Sequence, residues 1–303
     1  MDALWTLGQT ALELGLICSL TVLALFLSYS MLNVCDLSTD GCFTLGAAVG
    51  AAVAISGHPY GAVLCAMGAG VLSGFTAALL QTRMGVDSLL AGIIVNTGLY
   101  SVNIWVMGGA AQLNLNRTDT VFTKMRALLS ATPLAGQYRL VVAVIAVALT
   151  AAFLTFFLNT RLGLSIRATG DNPDMVRSSS IDPVFTTTVG LCVANAFTGL
   201  SGCLLSQAQK SVSIDIGSGM VTIALASLLI GRTLMGRGGI FSRAMGMVLG
   251  SCLFRVVYTI ALRFHMPAYM LKLISSLIVI LAIFLPYLAG RRTLFRRMME
   301  RRT

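Results

Sequence analysis

The fold this sequence predicts is an all-α, polytopic membrane protein of about eight to ten transmembrane helices, in two pseudo-repeated halves that include short or broken helices. Three observations predict it. Only 11% of the 303 residues are charged and 56% are hydrophobic, with a mean hydropathy of +0.86. A soluble domain carries roughly 25% charged residues, so this chain has too little polar surface to cover a water-facing globule. Apolar runs near the length needed to cross a bilayer, roughly 20 residues, recur throughout. Finally, two similar polar breaks interrupt the pattern, one in each half.

The runs are, in order, Leu12–Met31, Phe43–Ile55, Tyr60–Leu80, Leu89–Met107, Leu140–Leu158, Val184–Leu205, Met220–Ile230, Phe241–Leu262 and Met270–Leu288. Phe43–Ile55 and Met220–Ile230 are short for a full crossing and read as half-helices. No soluble domain fits between the runs, so residues 1–303 form one membrane domain with a basic tail at 291–303. The first run lacks a basic flank and a small-residue cleavage site and reads as a retained helix. Glycines at GxxxG spacing (Gly46 and Gly50, Gly70 and Gly74, Gly246 and Gly250) suit closely packed membrane helices, where small residues let backbones approach.

The net charge of +10 does not point to nucleic acid, because its placement follows the membrane. Six arginines fall between Arg291 and Arg302, directly after the last apolar run. That bias puts the C-terminus in the cytoplasm. Counting back places Arg83, the Arg161–Arg177 stretch, Arg232, Arg237 and Arg243 inside. The N-terminus, the Gly108–Gln137 connection and the His265–Pro267 turn then fall outside, although Arg117, Lys124 and Arg126 lie in that outer connection. Seven cysteines show no CxxC pair and no histidine partner, which argues against a metal site or a disulfide framework. No cofactor is expected.

The matched breaks supply the candidate pathway. Asp36, Ser38 and Asp40 precede the first short run; Ser213 and Asp215 precede the second. Interrupted helices in corresponding positions of two halves mark a midplane binding site in transporters. By the charge count the two enter from opposite faces. An aspartate in an apolar setting costs about 2.5–3.5 kcal/mol on insertion scales, so Asp36, Asp40 and Asp215 either line a polar pathway or cap the helices that follow. Asn96 and Asn103 share a face of the fourth run, and Asn195 and Gln207 interrupt the sixth. These suit either substrate contact or bonds between helices.

Catalytic constellations are missing. The glycines of Gly231–Gly238 outline a phosphate loop without its Lys-Ser/Thr, and the glutamates are Glu13 and Glu300 alone. The chain therefore reads as a non-enzyme, with any ATP-driven work done on a partner. A secondary transporter or channel is the alternative, although the helices hold few acids or histidines for a proton relay.

The polar segment Arg161–Pro183, carrying Arg167, Gly170, Asp171, Asn172, Asp174, Met175, Arg177 and Ile181, is the place for such a partner to dock. Asn172-Pro173-Asp174 is a helix-start signature. It predicts a short surface helix that either offers Met175, Val176 and Ile181 to a partner's groove or lies on lipid at the interface.

At these residues the chain resembles the permease subunits of bacterial ABC importers of the branched-chain amino acid and ribose type. The carriers are Asp36-Leu-Ser with Gly41 and Leu45-Gly-Ala, then Arg167-Ala-Thr-Gly-Asp-Asn172, then Leu229–Gly239, in matching order from about Leu14 to Leu288. Arg232 stands where the family usually has a glycine, so a turn there would lack glycine's freedom. Ser180 likewise replaces a glycine before Ile181, so the coupling helix is expected to end differently. The resemblance implies a second permease copy, two cytoplasmic ATPase subunits, an extracytoplasmic solute-binding protein, and the lipid of a bacterial inner membrane. It implies a small solute, an amino acid ahead of a sugar or nucleoside, with aromatic amino acids associated with one branch.

Overall fold

A computed structural model describes residues 2–131, 136–236 and 238–263, together with 273, 276, 277, 279, 280 and 284. The predicted run Met270–Leu288, the His265–Pro267 turn, Arg237 and the tail 291–303 therefore lie outside the described residues, save for the isolated positions just given.

Eleven α-helices carry the described chain: α1 (Asp2–Leu25), α2 (Thr39–Ile55), α3 (Pro59–Thr82), α4 (Ser88–Val106), α5 (Val121–Leu128), α6 (Tyr138–Asn159), α7 (Arg161–Asp171), α8 (Pro173–Ser178), α9 (Pro183–Gln209), α10 (Met220–Met235) and α11 (Ile240–Arg263). Six are long and apolar enough to cross a membrane, namely α3, α4, α6, α9, α11 and α1 with its extension to Met31. The short helices α2 and α10 correspond to the two runs read as half-helices.

Helix α9 is the axis. It is the most buried of the six spans, and its small residues let neighbours approach to backbone contact. A Cβ on Gly46 would strike Gly199, one on Gly70 would strike the Asn195 carbonyl, and one on Gly74 would meet the Leu191 carbonyl. Gly246 and Gly250 of α11 sit in the same way against Gly231 and Ser227 of α10. All three GxxxG pairs are thus helix crossings. Without a hydrophobic gain between helices in lipid, such packing supplies much of the attraction.

The partners of α9 also set the depth of α2. Cys42 meets the Asn195 carbonyl, Gly46 meets Gly199 and Gly50 meets Cys203, so the two helices run parallel. Asn195 lies twelve residues into α9, roughly 18 Å along a helix about 40 Å long. Helix α2 therefore begins near the middle of the bundle. It runs to the end that carries the two-stranded ribbon β1 (Gln112–Asn114) and β2 (Ser211–Ser213), paired antiparallel with Gln112 opposite Ser213. Helix α10 starts at the same depth, beside Asp40, and runs to the opposite end, where α7 and α8 lie.

Two connections hold more structure than their composition suggests. Arg161–Pro183 contains the eleven-residue helix α7 ahead of the predicted short one. The connection from 108 to 137 contains β1 and α5, whose first amide, Val121 N, donates to Gln207 Oε1 of α9 at 2.9 Å.

Candidate functional site

The polar breaks meet. Asp40, in the first turn of α2, does not cap its own helix. Its Oδ2 accepts from Gly219 N at 3.0 Å and its Oδ1 from Val221 N at 2.8 Å. One carboxylate thus satisfies free amides at the N-terminus of α10, where the helix dipole also favours a negative charge. The close approach needs glycine: Gly219 has φ +85°, and a Cβ on Gly217 would strike the Asp40 carbonyl. Two half-length helices therefore face one another, N-terminus to N-terminus, across a single aspartate.

Asp36 has a different environment. It is 2% exposed and accepts from Ser38 N at 2.9 Å, Ser38 Oγ at 2.6 Å and Asn195 Nδ2 at 2.7 Å. Those bonds tie the break before α2 to the middle of α9. A buried carboxylate is tolerable only with such a set of donors. Asp36, Ser38 and Asn195 form a sealed network and do not line the neighbouring cavity.

That cavity, about 330 Å³, lies between α2, α4 and the turn into α10. Asp40, Asn96, Tyr100, Asn103, Asp215 and Ser218 are among its lining. Asn103 donates to the Gly41 carbonyl at 3.2 Å, and Asn96 Oδ1 lies against Gly41 where no side chain would fit. Of the predicted pathway residues, Asp40, Asn96, Asn103 and Asp215 come together here, while Ser213 sits in β2 opposite Gln112. Tyr100 was missed by the sequence reading, although its place between Asn96 and Asn103, on one face at i, i+4 and i+7, is a signal that could have found it.

At the opposite end, α7 and α8 form a bracket on the bundle. Thr160 caps α7 by accepting from Gly163 N at 3.2 Å. Ile166 is fully buried, Thr169 and Thr186 hydroxyls meet at 2.8 Å, and Gly170 presses on the Met31 carbonyl. Asn172 Oδ1 accepts from Asp174 N and Met175 N, both at 3.1 Å, with Pro173 in the first turn, so α8 starts where its signature places it. Val176 is buried within the chain, which corrects its expected place in a partner's groove; Met175, 56% exposed, is left outward, and Ile181 is half-buried. Arg177 and Asp174 pair at 3.6 Å on the surface. Arg167 is partly buried on α7. Asp171 lines a second cavity of about 450 Å³ together with Arg232, Arg243 and the π-helical end of α1, Phe26–Met31.

The two departures from the family pattern resolve differently. Arg232 lies inside α10, which runs on to Met235, so no turn needs a glycine there, and Gly231, the first glycine of the phosphate-loop outline, is helical. Ser180 adopts φ +61°, the left-handed conformation that a glycine would take freely. The turn after α8 therefore carries some strain, about 1–2 kcal/mol for a residue with a Cβ.

Comparison with known proteins agrees with the bundle. The profile of the family described as "Branched-chain amino acid transport system / permease component" matches residues 9–283. A tyrosine transport system permease protein of Clostridioides difficile (strain R20291) is 28% identical over 268 residues, covering 88% of this chain and 86% of the relative. An uncharacterised protein of Rickettsia prowazekii (strain Madrid E) is 30% identical over 226 residues, 74% of this chain and 76% of that one. A nucleoside ABC transporter permease protein of Lactococcus lactis subsp. cremoris (strain MG1363) is 25% identical over 185 residues, 54% of this chain and 49% of the relative. No solved structure matches.

Proposed function

This chain belongs to the branched-chain amino acid transport system permease family, and we propose that it forms the pathway through which an ATP-driven importer brings an aromatic amino acid across the bacterial inner membrane. It is a multi-pass membrane subunit of a transporter and does not itself catalyse a reaction. In this reading two ATPase subunits sit below α7 and α8 on the cytoplasmic side. A solute-binding protein delivers cargo at the ribbon end, and a second copy of this chain completes the pathway. The whole chain acts as one membrane domain, with its C-terminus in the cytoplasm.

The observation that carries this reading is the meeting of α2 and α10 at Asp40, beside a polar cavity at mid-depth. Helices broken in the middle of a bilayer are how transporters bring backbone and side-chain polar groups to a solute without exposing them to lipid. The segment Arg167–Ile181 supports the second half of the reading, as a surface element anchored by Ile166, Thr169 and Val176 yet outward-facing at Asp174, Met175 and Arg177. Nucleotide and loaded binding protein must prefer different states of the bundle, and this bracket is the element through which that preference acts. The relative named for tyrosine transport, which matches over more of the chain than the nucleoside permease, supports an aromatic amino acid as the solute.

Reconstitution tests the reading. The chain, its ATPase and its binding protein in proteoliposomes should accumulate labelled tyrosine with ATP and not with a non-hydrolysable analogue. Equal accumulation with the ATPase left out would overturn it.

A further inference from the structure

We infer that the cavity between α2, α4 and the turn into α10 recognises a primary ammonium group, with Asp215 and Asn103 as acceptors and Tyr100 as the wall for an apolar side chain. The inference rests on the transport reading and adds the chemistry by which the pathway chooses its cargo.

The cavity offers acceptors, and among the described residues neither Lys, Arg nor His lines it. The Asp40 carboxylate holds the α10 amides, whereas the exposed Asp215 side chain makes no hydrogen bond or ion pair among the described residues; the turn uses its backbone carbonyl, which accepts from Ser218 N. Asn103 supplies the second, independent sign. It is 1% exposed, and its Oδ1 is buried with no donor. Its amide orientation is forced, because the nitrogen must face the Gly41 carbonyl. A buried acceptor without a donor is costly, and here it lies in the wall of a polar cavity.

A primary ammonium brings what is missing: three donors and a positive charge. A neutral nucleoside brings no charge, and a solute that is only a carboxylate is repelled by Asp215. The half-exposed Tyr100 adds a flat apolar face on which an aromatic side chain can stack and a cation can rest. The volume of about 330 Å³ falls at the small end of ligand sites, fit for a single small molecule.

The test uses the full chain in lipid nanodiscs, without binding protein, read by ligand-observed saturation-transfer NMR. Four probes are compared: L-tyrosine, tyramine, 3-(4-hydroxyphenyl)propionate and uridine. Tyrosine and tyramine should bind and the other two should not. Asp215→Asn should weaken tyramine about tenfold or more, the loss of a charge-assisted bond. Tyr100→Phe should bind as the parent does, and Tyr100→Ala should weaken. Asn103→Ala should also weaken binding; should it fail to fold, Asp215→Asn, at an exposed position, still decides. Binding of the propionate as well as tyramine, or an unchanged Asp215→Asn variant, overturns the proposal. Ammonium binding without ATP-dependent uptake would sink the transport reading instead and leave this site standing.

Discussion

Asp36, Asp40 and Asp215 are chemically alike and meet three fates, which shows what a residue owes to its surroundings. Asp36 is sealed in with three donors. Asp36→Ala would strand both Ser38 donors, at about 1–3 kcal/mol for each buried group left unpaired, and would leave the Asn195 amide only its longer bond to the Leu191 carbonyl at 3.3 Å. We expect the thermal midpoint of the purified protein to drop by many degrees. Asp215→Ala, at an exposed turn, should leave it within the scatter of surface substitutions, about 0.5 kcal/mol. Equal midpoints for the two variants would show that the Asp36 network adds no stability. Asp40→Ala falls between them. It removes a cap worth about 1–2 kcal/mol and frees the α10 N-terminus, so uptake should fall further than stability does. At this scale the sequence pointed to the polar residues and could not assign their partners, because Asp36 and Asn195 are 159 positions apart.

Among elements, α9 and the α7–α8 bracket respond differently to change. Gly70 and Gly46 are held at backbone contact with α9, so Gly70→Val must push α3 off the axis. We expect that variant to be lost from the membrane fraction, while Gly68→Val, with open space around it, accumulates normally. Ser180 predicts the opposite sign. Its φ of +61° strains any residue with a Cβ, so Ser180→Gly should raise stability by up to about 1 kcal/mol and Ser180→Val should lower it. Denaturation of the pair, side by side, checks this. The start of α8 was legible locally, since Asn172 and Pro173 act on amides two or three residues away. Helix α7 was not. Its helical character comes with burial of Gly163, Ile166 and Thr169 against α6, α9 and the end of α1, and a polar composition hides that face.

For the whole molecule, the proposed function gives the two ends of the bundle separate tasks: the ribbon end would receive solute and the bracket end would receive work. Charge reversal at Arg177, whose contact within the chain is an exposed pair with Asp174, should abolish ATP-dependent uptake while leaving expression and folding intact. Full transport by Arg177→Glu would remove the bracket from the coupling route. Arg167→Glu should behave likewise, with some added loss of stability because Arg167 is partly buried. The membrane class, the apolar runs, the two abbreviated helices and the small-residue stripes could all be read from the chain, because hydropathy and GxxxG spacing are local properties that the bilayer converts directly into structure. The meeting of α2 and α10 could not. It joins Asp40 to amides 179 and 181 residues away, and no local spacing encodes a contact at that distance. Packing against α9 set the depth of α2, the Asp40 bonds brought the start of α10 to that depth, and there two unremarkable polar breaks became a single site.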